Sequence, residues 1–171
     1  MSNTVNLAEH FALSEKFKVL FQDGMGLVEE SATYLDGPGR DAAKGLPRAS
    51  AMLYGSESMR LTTRLMQIAS WLLLQRAANE GEMTRDQLME EKRKIKLESV
   101  SERADNPSWN DLPAQFLELV SRSIALQNRV MTLDADLYGA SVEPDTTDTM
   151  NPVGQQIDLL STALGAKKQS G

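Results

Sequence analysis

Apolar positions along this chain gather into three long stretches with the three-to-four-residue spacing of an α-helix. In the first, Phe17, Leu20, Phe21, Leu27, Val28 and Leu35 share one face, Gly24 and Ala32 fill the same stripe, and Ser14 is the expected N-cap. Gly24 and Gly26 each cost about 1 kcal/mol against alanine. Two readings of them stay open: close approach of another helix, or a weak point. Asp36-Gly37-Pro38-Gly39 predicts a turn that ends the helix. The turn is glycine-rich, yet no strand precedes it and neither phosphate-loop spacing is present, so it does not read as a nucleotide site.

The second stretch runs from Leu46-Pro47 to Asn79, with Gly55 as its only glycine and no proline after Pro47 until Pro107. Pro47 suits a first-turn position, where its missing N–H costs nothing. About 33 residues can therefore form one rod roughly 50 Å long, against a usual helix of about 11–12 residues. Its inner stripe is Leu46, Ala49, Leu53, Leu61, Leu65, Ile68, Leu72 and Gln75, and Glu80-Gly81 closes it. Two features interrupt that stripe. Glu57, Arg60 and Arg64 make a polar band in mid-rod, readable as an ion-pair band or as a recognition patch. Near the end, Trp71-Leu72-Leu73-Leu74 is apolar all round. One side of this collar can face a core. The rest needs a second surface, so Trp71, Leu73 and Leu74 are candidates for a dimer or cargo contact.

Thr84-Arg85-Asp86-Gln87 is a capping box that opens a short polar helix over 84–98, anchored by Leu88, Ile95 and Leu97. Its basic cluster Lys92-Arg93-Lys94-Ile95-Lys96 reads either as a solvated helix end or as a contact for an acidic partner. Residues 99–110 read as a loop with Trp109 as anchor. The third long helix opens at Asp111-Leu112-Pro113 and reaches Tyr138, before Gly139 as C-cap. It carries two apolar stripes, Leu117, Val120, Ile124 and Met131 on one and Phe116, Leu119, Leu126, Val130, Leu133 and Leu137 on the other. That width suits a helix wedged between two others, and a dimer contact would use it as well. The pattern thus predicts an all-α, three-helix bundle of long antiparallel helices over residues 1–139.

From Ala140 onward the chain is acidic and threonine-rich, which reads as a disordered tail over 140–171. Within it Val153, Ile157, Leu160 and Leu164 recur on one helical face. A helix this short is marginal alone. Either it docks back on its own bundle or it serves as a peptide-type ligand for a partner.

Composition narrows the function classes. At 171 residues with 41% apolar content, the chain can bury one real core. A formal charge of -6 argues against a nucleic-acid surface, which needs a basic face. The absence of cysteine removes thiolate nucleophiles and zinc-thiolate sites and suits a reducing cytoplasm. No signal peptide pattern is apparent at the N-terminus, and no apolar run exceeds four residues, so no membrane insertion is expected. The single histidine, His10, lies ahead of the first predicted helix and reads as solvated. Asp134 and Asp136 stand two apart, on different faces. With no metal or nucleophile template in the chain, no cofactor and no enzymatic activity are expected.

The string ESMRLTTRLMQIASWLLLQRA, followed by NEGEM, with YLDGPGR upstream and NPVGQQIDLL downstream, resembles the alphaproteobacterial RcdA family, regulators of CtrA degradation. The resemblance covers nearly the whole chain, from Ser14 to Leu164, and is densest from Glu57 to Thr84. It implies a dimeric three-helix bundle with a flexible tail. It also implies a proteolytic adaptor that joins a response-regulator-like priming factor on the ClpX unfoldase and helps deliver cargo, including a transcription regulator, to ClpXP. An adaptor needs rigid helical surfaces and gains from a tethered segment that raises effective concentration, and it needs no catalytic groups. The competing expectation is a self-associating structural bundle with no delivery role.

Overall fold

The structure is a computed structural model that describes residues 2–95, 97 and 105–139, with residues 2–6 as backbone only. The tail candidates Val153, Ile157, Leu160 and Leu164 fall outside the described residues. Those described form five α-helices, α1 (Ser2–Asp36), α2 (Pro38–Lys44), α3 (Arg48–Asn79), α4 (Arg85–Lys94) and α5 (Ala114–Tyr138), with a 3-10 turn at Pro107–Asp111 and no strand. Helices α1, α3 and α5 pack on one another pairwise and enclose the core.

The three long helices do not all alternate in direction. Phe17 of α1 meets Trp71 of α3, Asp23 pairs with Arg129 of α5 and Glu30 with Arg122, so α1 is antiparallel to both partners. Between α3 and α5 the residue numbers rise together: Tyr54 on Phe116, Arg64 to Ser123, Trp71 to Asp134, Gln75 to Tyr138. These two helices are parallel. By Asp111 the chain is back at the start of α3, where Ser50 Oγ donates to Asp111 Oδ2 at 2.6 Å.

Each departure from the sequence expectation has a local cause. Helix α1 begins at Ser2, not after Ser14, because nothing between them breaks a helix and Leu7, Ala8, Glu9 and Ala12 are good formers. His10 is therefore an exposed helical residue. Pro38 does not end structure. It sits at the first position of α2, where its fixed φ favours helix, and the turn is confined to Gly37. Gly39 then lies against Tyr34 and Tyr54, where an added Cβ would come within 2.6 Å of the Tyr34 ring. Of the two glycines in α1, Gly24 lets α3 approach, since a Cβ there would overlap Leu72 Cδ1. Gly26 has nothing within 4 Å.

Helix α3 ends as expected in a left-handed glycine. Gly81 has φ 76°, its N–H reaches Ala78 O and that of Glu82 reaches Ala77 O at 2.9 Å, which satisfies carbonyls the helix leaves open. The capping box of α4 is formed, with Thr84 and Gln87 exchanging side-chain bonds. That helix stops at Lys94, short of 98: Ile95 turns extended, and Ile95 and Leu97, two apart, both pack on the core. Ala32 and Ala49, expected inside, are exposed. Ser31, Tyr34, Ser50 and Tyr54 take the inner face instead.

Candidate interaction surface

The core consumes most of the apolar surface of α3, and what it leaves out is ordered. Met52, Met59, Met66 and Leu73 are between 53% and 73% exposed and stand seven residues apart along one face. A seven-residue step falls about 20° short of two full helical turns, so the stripe drifts slowly across the helix, as a seam covered by another helix does. It extends over roughly 30 Å. Between the knobs lie small residues, Gly55, Ser56, Thr62, Thr63, Ala69 and Ser70.

Three of the hydroxyls among them turn inward. Ser56 Oγ donates to Leu53 O at 3.0 Å, Thr62 Oγ1 to Ser58 O at 2.9 Å, and Ser70 Oγ to Met66 O at 2.8 Å. Their polar atoms are satisfied within the helix, so this face can be covered at low desolvation cost. Charges at its margins are also met locally. Arg60 pairs with Glu57, and Arg76 pairs with Glu80 at 3.0 Å while lying over the Phe21 ring. Small residues permit close backbone approach, and methionines adapt to the shape of what they meet. The arrangement can seat a helix and offers no reacting group.

The candidates read from sequence separate here. Trp71 is 2% exposed, packs on Phe17 and donates its indole N–H to Asp134 at 2.8 Å, so it belongs to the core and drops out of the candidate surface. Leu74 is half-buried, whereas Leu73 is exposed and ends the methionine stripe. The polar band on α3 divides, with Arg60 exposed and its other two residues turned inward. Glu57 and Arg64 are buried, and Arg64 donates to Ser123 Oγ of α5 at 2.9 Å. Burial pushes the Arg64 pKa down, against an opposing pull from Glu57. Met52, Met59 and Met66 were missed by the inner-stripe reading. Their seven-residue repeat was the available signal, hidden because serines and threonines fill the intervening positions.

The basic cluster also divides. Arg93 and Lys94 pair with Glu90 and Glu91 on the solvent side. Lys92 turns inward. Its ammonium sits 3.6 Å from the Tyr138 ring centroid and 4.8 Å from that of Trp71, and bonds Asp134 at 2.8 Å. Elsewhere a groove of about 600 Å³ runs between α1 and α5, lined by Val19, Leu20, Thr132 and Leu133 with Asp136 at its edge. Among the described residues no cluster of His, Asp or Glu is placed to hold a metal ion. No helix there is long and apolar enough to cross a membrane.

A family model described as "Protein of unknown function (DUF1465)" matches residues 8–164. No curated protein matches the chain. Among solved structures, that of RcdA from Caulobacter crescentus CB15 is similar at 46% identity, covering 72% of this chain and 91% of that one, with a TM-score of 0.59. That degree of identity over nearly all of the solved chain, on the same all-helical fold, places this protein: it belongs to the RcdA family.

Proposed function

We propose that this protein is a non-enzymatic proteolytic adaptor that helps deliver cell-cycle regulatory substrates to the ClpXP protease. The observation that carries the reading is the uncharged methionine stripe on α3, a 30-Å-scale face suited to a helix on a chain 46% identical to RcdA. In this reading the partners are the ClpX unfoldase with a response-regulator-like priming factor, and the cargo is a transcription regulator. The protein acts in the cytoplasm. Leu73 belongs to the helix-binding face, and the tail residues Val153, Ile157, Leu160 and Leu164 contact a partner.

A second reading, a self-associating structural bundle, draws on the same stripe, because a seven-residue apolar repeat also suits a second copy of the helix. Reconstituted degradation separates the two. Purified ClpXP, the priming factor and a fluorescent cargo are mixed with the full chain or with a chain lacking residues 140–171. The adaptor reading predicts faster cargo loss with the full chain, no acceleration with the shortened one, and nearly equal melting temperatures for both. No acceleration by the full chain favours the structural bundle. A large fall in melting temperature on truncation overturns the tethered-ligand role of the tail.

A further inference from the structure

The surroundings of Lys92 are more elaborate than a surface ion pair requires. Its ammonium lies between two aromatic faces, 3.6 Å from the Tyr138 centroid and 4.8 Å from that of Trp71. It donates to Asp134 Oδ1 at 2.8 Å and to Gln75 Oε1 at 3.2 Å. Two rings, a carboxylate and an amide oxygen meet one cation, which is the composition of an ammonium receptor.

The walls of this cage are bonded to one another as well as to the lysine. Trp71 donates to the same Asp134 oxygen at 2.8 Å, and Tyr138 OH donates to Gln75 Oε1 at 2.6 Å. Each of these bonds joins α3 to α5. Gln75 Nε2 is held in turn by Asn79 at 2.9 Å. Lys92 arrives from a different element, α4, whose one other buried anchor is Leu88, a turn earlier. A ten-residue helix is marginal in isolation, so occupancy of the cage bears directly on whether α4 stays docked. The Asp134 side chain remains 39% exposed while that of Lys92 is 10% exposed, which leaves the carboxylate reachable from solvent.

We propose that Trp71, Gln75, Asp134 and Tyr138 form a preorganised receptor for a primary alkylammonium group, which Lys92 occupies from within the chain and which a competing primary ammonium can take, releasing α4. The two oxygen acceptors require N–H donors. The receptor therefore selects a primary ammonium over a quaternary one, although the rings alone would accept either.

The test uses the full chain and two probes, n-butylammonium chloride and tetramethylammonium chloride, at matched ionic strength. In K92A the site is open, and n-butylammonium produces a saturable shift of the Trp71 indole N–H resonance while that of Trp109 serves as reference. Tetramethylammonium binds at least about tenfold more weakly, as expected for lost charge-assisted hydrogen bonds. In the unaltered protein, n-butylammonium in excess over the roughly millimolar effective concentration of a tethered lysine speeds hydrogen exchange in residues 88–94, and tetramethylammonium does not. This second arm decides the question by itself if K92A fails to fold. A folded K92A with no saturable Trp71 shift, an equal response to the two cations, or unchanged exchange in the unaltered protein overturns the proposal.

Discussion

Three glycines, Gly24 and Gly26 in α1 and Gly39 in α2, show how little a residue type says without its neighbours. Gly26 and Gly24 stand two apart in α1, yet an added methyl meets open space at one and Leu72 at the other. Gly26→Ala is expected to stabilise the protein by about 0.5–1 kcal/mol through helix propensity. Gly39→Ala drives a Cβ into the Tyr34 ring and is expected to cost about 1–3 kcal/mol of overpacking. Thermal melts of the two variants check both signs. The sequence left Gly24 and Gly26 open between close approach and weakness because what distinguishes them is a leucine some fifty positions away on another helix. The tyrosines make a second residue-scale case. Tyr34 and Tyr54 are buried, and among the described residues no well-aligned hydrogen bond reaches either hydroxyl; burial raises the pKa of both above the ordinary 10.0, with Ser58 pulling that of Tyr54 the other way. A phenol whose folded pKa is raised stabilises the fold fully below its unfolded pKa, and loses that contribution as pH rises through the folded value. Stability should therefore fall above pH 10.0. In the Tyr34→Phe, Tyr54→Phe double variant the alkaline slope should be shallower, with neutral-pH stability equal or higher. Denaturant midpoints from neutral pH to pH 11 measure it, and an unchanged slope would contradict the assignment.

At the scale of elements, local chemistry was readable and tertiary context was not. The capping box of α4, the glycine stop of α3 and the opening of α5 after Pro113 all form where the residues predict, because each depends on groups within a few positions. Helix α1 starts well before Ser14, since Ser14 is an adequate N-cap only if the preceding residues decline to be helical. Helix α4 ends short of 98, since Ile95 is extended and both it and Leu97 pack on the core. Lys92 illustrates the same limit: its aromatic walls come from α3 and α5, which no spacing within α4 can reveal. Thr84→Ala removes the cap of α4 and is expected to cost about 1 kcal/mol. Amide exchange should accelerate in residues 85–94 while the middle of α1 is unchanged. Uniform acceleration would mean that α4 is no separate unit.

For the whole molecule, the long periodic stripes made the three-helix bundle legible, because each of α1, α3 and α5 must bury one broad face along its full length. The parallel run of α3 and α5 was not legible, since direction depends on where segment 80–113 leads the chain. Nor was the exposed stripe of α3 legible: the apolar collar at Trp71–Leu74 is the stronger local signal, yet the core takes Trp71 and Leu72, while the methionines are diluted among serines and threonines. The proposed partner surface is this diluted stripe. The double variant Met59→Glu, Met66→Glu tests it most directly, since both side chains are exposed and neither supports the core. Surface substitutions of this kind change stability by about 0.5 kcal/mol or less. Cargo degradation by ClpXP, measured beside the melting temperature of the same preparation, is the deciding measurement. The account predicts an unchanged melt and loss of the acceleration that the unaltered chain gives. Full acceleration by the double variant would show that the face of α3 is not the partner surface.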